Sequence, residues 1–300
     1  MEKAAIAKVF ADVGCQGWLC VREVHGPGAV TLDAEDLVVS ASVAKIAVAL
    51  EVFRQAHLGR LDLRERVRVC AADRTVGPTG FSTFDDDVEV SVRDLARMMM
   101  VVSDNAATDV LIDLVGLDAV HVILRSLGLH QTVVPTPFRD MLDSIGQDLG
   151  FTGWAELMRV NSSSPRDAAR IDKLLPRVRA LQPGQTTRTT AAETATLLSL
   201  IWRDEAGPPS ACAQVRQLMA AQLTRNRLAM GFTRSVKIAA KTGSLAGIIR
   251  NEAGVIEYPD GRRYVAAVFT RAHQPGVNEH QINHAIGASA ALAIQSLYTR

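Results

Sequence analysis

Leu37-Val38-Val39-Ser40-Ala41-Ser42-Val43-Ala44-Lys45-Ile46-Ala47-Val48-Ala49-Leu50 changes period in its middle, and that change sets the architecture. Leu37–Ser40 reads as an extended run. From Val43 the apolar residues Val43, Ile46, Ala47, Leu50 and Phe53 recur at helical spacing until Gly59 provides a stop. Ser42 therefore stands where a strand hands over to a helix. Upstream, Glu2–Val13 reads as a short helix and Trp18–Val24 as a strand ended by the turn His25-Gly26-Pro27-Gly28.

Downstream the middle of the chain is helical. Val92, Leu95, Met99 and Val102 form one stripe, with Met98-Met99-Met100 read as core packing, and Ala107, Val110, Leu111 and Leu114 form another. Thr190-Ala191-Ala192-Glu193 is a capping box opening a helix through Leu200. The last part of the chain turns extended again at Val236–Lys241, Ile248–Glu257 and Tyr264–Thr270. The latter two runs are joined by the turn Tyr258-Pro259-Asp260-Gly261. A closing helix buries Ile282, Ile286, Ala290, Ala293 and Leu297. Strands at both ends with helices between them predict an α/β (α+β) fold: one antiparallel sheet built from both termini, flanked by helices, with a helical lobe inserted. The expected division is a single catalytic domain over 1–300, with an α/β lobe of 1–41 and 236–300 and a helical lobe of 42–235.

Composition excludes several classes. The 300 residues are 48% hydrophobic and 22% charged with a net charge of +1, an ordinary globular balance with no electrostatic case for nucleic acid. No apolar run reaches membrane-spanning length. Met1–Val13 lacks a signal-peptide core, which is read as cytoplasmic, although a mature secreted form would also fit. Cys15, Cys20, Cys70 and Cys212 have no zinc-type spacing, and buried thiols are favoured over a Cys15–Cys20 disulfide. His280 and His284 lie one turn apart without an acidic partner, so neither metal nor cofactor is expected.

Three short motifs carry chemistry: Ser42-Val43-Ala44-Lys45, Ser103-Asp104-Asn105 and Lys241-Thr242-Gly243. Ser42 and Lys45 are three apart on one helix face, which predicts a hydroxyl and an amine within hydrogen-bond reach. A lysine in apolar surroundings loses its proton near neutrality and can activate a serine. Ser103-Asp104-Asn105 falls at a break between two helices. Lys241-Thr242-Gly243 closes a strand, with Gly243 allowing close backbone approach.

These motifs, in this order, resemble the class A β-lactamase branch of the serine β-lactamase and penicillin-binding protein superfamily over nearly the whole chain. Ser91-Val92-Arg93-Asp94-Leu95 leading to Ser103-Asp104-Asn105-Ala106-Ala107-Thr108, and Lys241 through Arg250, carry the resemblance. It implies Ser42 as nucleophile, Lys45 as base and Ser103 as proton relay, with Asn105 on the substrate amide. Lys241, Thr242 and Arg250 would hold a substrate carboxylate, and the N–H groups of Ser42 and Ser244 would form an oxyanion hole. The partner implied is a small, carboxylate-bearing substrate; the sequence does not disclose the oligomeric state, and a monomer is the expectation.

The pattern departs at one place. Class A enzymes carry Glu-x-x-Leu-Asn after Ser-Asp-Asn, where the glutamate activates the deacylating water. Here the equivalent region is Thr136-Pro137-Phe138-Arg139-Asp140, followed by a long charged, Ser/Pro/Gly-containing stretch over about 140–185, read as an insertion forming a lid or an added helical piece. Glu156, Asp140 and Asp143 are the acidic residues considered as substitute bases. The reading is a serine hydrolase acting through a Ser42 acyl-enzyme on amides or esters, or an acyltransferase working through the same intermediate. A true β-lactamase with an unrecognised base, and a non-turnover penicillin-binding or sensing module, are the alternatives.

Overall fold

A computed structural model describes residues 2–161 and 165–298 of the chain. The strands are β1 (Cys15–Glu23), β2 (Ala29–Leu32), β3 (Val38–Val39), β4 (Arg66–Val69), β5 (Val88–Ser91), β6 (Arg188–Thr189), β7 (Lys237–Leu245), β8 (Ile249–Glu257) and β9 (Arg263–Ala272). The helices are α1 (Glu2–Ala11), α2 (Lys45–His57), α3 (Val92–Val101), α4 (Asn105–Val115), α5 (Leu117–Ser126), α6 (Phe138–Asp148), α7 (Trp154–Asn161), α8 (Pro165–Leu174), α9 (Ala191–Trp202), α10 (Pro209–Ala220) and α11 (Glu279–Tyr298).

The main sheet is antiparallel, ordered β2-β1-β9-β8-β7, and joins the two ends of the chain as expected. Both of its faces are buried, by alternation along each strand. Val265, Ala267 and Phe269 of β9 pack into the large core shared with α2, α3 and α9. Tyr264, Ala266 and Val268 face the smaller core under α1 and α11. Residues on two buried faces must be apolar almost throughout, so these strands read as continuous hydrophobic runs. Two small pairings lie outside the expected sheet. β4 with β5, and β3 with β6, each use short runs whose alternation is too brief to read from sequence.

Helix boundaries follow their capping chemistry. Ser91 Oγ accepts from the Asp94 N–H, opening α3, and Thr190 Oγ1 accepts from the Glu193 N–H, opening α9. The return half of the expected capping box is not made. The Glu193 carboxylate instead accepts from the Gln131 N–H at 2.8 Å and the Thr132 hydroxyl at 2.6 Å, tying α9 to the segment that leads into α6.

The 140–185 stretch is helical, built from the rest of α6, from α7 and α8, and from three short 3₁₀ turns; residues 162–164 fall outside the described residues. Arg271 of β9 donates to the carbonyls of Leu181 and Pro176, fastening its far end to the sheet. Among the described residues, no helix is long and apolar enough to cross a membrane.

One polar residue holds the sheet to the segment carrying Ser42. Asn251 of β8 is fully buried; its Nδ2 donates to the carbonyls of Val39 (2.9 Å) and Ser40 (3.3 Å), and its Oδ1 accepts from the Thr270 N–H at 3.1 Å. Substituting Asn251→Leu takes that partner from the Val39 carbonyl and the Thr270 N–H, and leaves the Ser40 carbonyl only the Val43 N–H. Urea denaturation is expected to show a loss of about 2–4 kcal/mol, and a loss below about 0.5 kcal/mol would contradict this role for Asn251 at the junction.

Candidate active site

Ser42 lies in a single 3₁₀ turn, Ala41–Ala44, and the α-helix begins at Lys45 rather than at Val43. Residues three apart eclipse in a 3₁₀ turn, so Ser42 and Lys45 still share one face. The turn enters through Ala41 at φ +46°, and Ser103 has φ +64°. Left-handed backbone at non-glycine residues costs about 1–3 kcal/mol each and concentrates at functional sites. Of the six such residues described, Ala41 precedes Ser42 and Ser103 carries the second hydroxyl singled out above.

Close packing fixes the turn against the sheet edge. A methyl group on Gly243 would sit 2.8 Å from the Ser40 carbonyl oxygen and 3.2 Å from the Ser42 nitrogen, so only glycine lets β7 approach so closely. β7 is an edge strand, and its side chains alternate. Lys241 points in toward Ser103, while Thr242 and Ser244 share the face occupied by their cross-strand partners Glu252 and Arg250.

Lys45 is completely buried. Its Nζ donates to the Ser103 carbonyl (2.7 Å), Asn105 Oδ1 (2.9 Å), Ser103 Oγ (3.3 Å) and the Asp104 carbonyl (3.4 Å), and it sits 4.8 Å from the centre of the Phe138 ring. The expected hydrogen bond to Ser42 is not formed, because the Ser103 carbonyl and the Asn105 amide oxygen, both stronger acceptors than a hydroxyl, hold the amine. Every direct partner is uncharged. Burial without a contacting carboxylate pushes the amine down to about 7, with Asp104 and Asp109 opposing from a distance. A neutral amine donating to its two nearest acceptors keeps a lone pair free to take a proton.

Lys241 Nζ approaches the same hydroxyl from the other side, 3.0 Å from Ser103 Oγ. It too is fully buried, and burial first, then repulsion from Lys45 and Arg227, holds it well below the usual lysine range. Ser103 thus sits between two amines that resist carrying charge together. Asp104 does a structural job: its carboxylate caps α4 through the N–H groups of Ala106 and Ala107 and holds the Phe81 N–H and the Ser82 hydroxyl. Asn105, also engaged through Nδ2 to the Val76 carbonyl, faces the Lys45 amine.

The remaining expected residues fall on either side of this group. Thr242 is nearly buried, and its N–H is taken by Gln222 Oε1 at 2.5 Å. Ser244 is exposed on the strand edge, its Oγ accepting from Arg227 at 2.5 Å. Arg250 is paired with Glu279 Oε1 at 2.7 Å. None of the three acidic residues considered as substitute bases is tied to the lysines. Asp143 accepts from the Trp154 N–H, Glu156 from the Thr152 N–H, and Asp140 is exposed.

Residues unforeseen from sequence complete the site. Arg227, buried in a loop, donates to the carbonyls of Gly243 (2.8 Å) and Asn251 (2.5 Å); burial draws its guanidinium down to about 10. Glu252, raised by burial, accepts from Gln222 and from the Leu228 N–H, holding that loop. Asp109 accepts from the N–H groups of Phe138 (2.7 Å) and Arg139 (2.8 Å), pinning the start of α6 so that the Phe138 ring faces Lys45. A charged cluster inside the otherwise apolar run Ile248–Glu257, Arg250-Asn251-Glu252, is the one visible sign of this network.

The sequence matches the profile of the beta-lactamase enzyme family over residues 2–297. The chain belongs to the beta-lactamase enzyme family. It is a β-lactamase-like serine hydrolase in family and fold. It is 28% identical to the beta-lactamase regulatory protein BlaB of Streptomyces cacaoi over 87% of this chain and 86% of that protein. It is 26% identical to the extended-spectrum beta-lactamase PER-1 of Pseudomonas aeruginosa over 83% and 72%. The fold is also that of a β-lactamase from Sphaerobacter thermophilus (TM-score 0.78, 24% identity, 100% and 97% covered). It is shared with PBP-A, a point mutant of which has been seen as an acyl-enzyme with penicillin G (TM-score 0.76, 20% identity, 100% and 97% covered).

On the expectation that Lys45 is the base for Ser42, the burial that draws its amine down to about 7 predicts that covalent loading of Ser42 speeds up as pH rises through that value, since only the neutral amine can accept a proton. Loading rates measured between about pH 5.5 and 8.5 span the change. A flat profile would remove Lys45 from the role of base.

Proposed function

We propose that this protein forms an acyl-enzyme at Ser42 with β-lactams and related activated amides or esters, and that release of the acyl group limits turnover. The observation that carries the reading is the neutral shell of Lys45: two oxygens of Ser103, the Asp104 carbonyl, the Asn105 amide oxygen and the Phe138 ring.

In this reading Ser42 Oγ attacks the carbonyl carbon and its proton passes to the neutral Lys45 amine. The oxyanion is held by the N–H groups of Ser42 and Ser244, each such donor contributing about 3–4 kcal/mol to the transition state. As the carbonyl re-forms, the bond to the leaving nitrogen or oxygen breaks. Ser103, flanked by both amines, supplies the proton that the leaving group takes and regains one from Lys45. These steps need no carboxylate.

Hydrolysis of the ester does need a base for the incoming water. Phe138 supports slow release, since its ring fills the approach to Lys45 where a carboxylate would be useful. A slow ester also leaves time for an amine or alcohol acceptor, which is how an acyltransferase would arise from the same site. The similarity to a protein named as a β-lactamase regulator favours a second reading, in which the loaded state is itself the output.

Intact-mass spectrometry after mixing with penicillin G should show one persistent adduct on the wild-type chain and none on Ser42→Ala. Phe138→Glu places a carboxylate beside Lys45 and should shorten the adduct's lifetime by about 10²-fold, the ordinary contribution of a general base. An adduct on Ser42→Ala, or none on the wild type, would end this reading.

A further inference from the structure

Arg250 stands directly across from Ser244 in the β7–β8 ladder, and Ser244 is exposed at the strand edge. Two of its donors are already engaged within the chain. Its NH1 lies 2.7 Å from Glu279 Oε1, and its Nε donates to Asn283 Oδ1 at 3.0 Å. The same Asn283 oxygen accepts from Arg227 Nε at 3.1 Å, so the two guanidiniums are yoked through one amide.

The two arginines differ in their surroundings. Arg227 is enclosed and serves the backbone of Gly243 and Asn251, which is a structural role. The Arg250 side chain is 13% exposed, and its partner Glu279, at the first position of α11, is 36% exposed. A partly exposed ion pair contributes little to stability. Its larger effect is on what can approach. A planar guanidinium is suited to binding a carboxylate, and Glu279 is a carboxylate already bound to it.

We infer that Glu279 is an internal counter-anion that sets the charge selectivity of the cleft beside Ser42. By occupying Arg250 it competes with the carboxylate of an incoming acyl donor, so donors without a negative group at that place are disfavoured less than the arginine alone would dictate. Glu279 acts through Arg250 and touches no reacting atom. The inference rests on acylation at Ser42, as proposed above.

The test compares penicillin G with its methyl ester, identical but for the carboxylate charge, on the full chain and on Glu279→Gln. Glutamine keeps an acceptor oxygen for the Arg250 NH1 and removes the charge. Second-order acylation rates should rise about tenfold for penicillin G and change less than about twofold for the ester. Adding Arg250→Gln should abolish the gain. A merely structural role would move both donors together, so an unchanged ratio between them overturns the inference while leaving acylation intact. An absence of adduct in every variant would instead overturn the acyl-enzyme reading and the inference with it. If Glu279→Gln fails to fold, Glu279→Asp, which keeps the charge at the helix start but withdraws it from NH1, is held to the same ratio: a rise supports the inference and an unchanged ratio overturns it.

Discussion

Lys45 is a lysine sealed from solvent, with no carboxylate touching it among the described residues. Taking an ammonium out of water is costly, and the chain offsets that cost only with neutral oxygens and the face of a phenyl ring. The amine is therefore easy to deprotonate, and much of the surrounding structure serves to keep it so. Asp104 is spent on capping α4 and on the Phe81 and Ser82 turn; Asp109 is spent on the start of α6. Both carboxylates are near enough to be felt and too engaged to form a direct pair.

The sheet supplies the second constraint. In the proposed reaction an amine is of use only if a hydroxyl and an acyl donor can be brought to it, and the part assigned to this is β7, an edge strand pressed against the Ser42 turn at Gly243. Asn251 and Arg227 lock the strand and the turn into one body from behind. The groups assigned to the proposed reaction come from separate segments of the chain, so the precision of the site is that of a rigid sheet and a buried helix rather than of a loop.

Much of this is legible in the chain itself. Strands rich in Val, Ile and Ala at both ends, with helical stripes between, are enough to give a sheet joining the termini, and the order of three motifs gives Ser42, Lys45, Ser103 and Lys241 as neighbours to be. The departure at Thr136–Asp140 is also visible. What sequence does not convey is the partner choice of long polar side chains. The i, i+3 spacing of Ser42 and Lys45 is satisfied on the backbone, yet the amine reaches past Ser42 because carbonyl and amide oxygens attract it more strongly. Arg250 reads in the sequence as a guanidinium open to substrate, since Glu279 lies 29 residues away. Arg227 looks like one more charge in a polar loop, although it is nearly inaccessible.

The proposed chemistry comes down to unequal speeds: quick loading of Ser42 through a neutral amine, then slow unloading for want of a base. Stopped-flow mixing with a chromogenic cephalosporin measures both in one trace. The predicted record is a burst of colour equal in amount to the protein present, followed by a much slower linear phase. A linear trace from the first milliseconds, running through many equivalents without a burst, would contradict it.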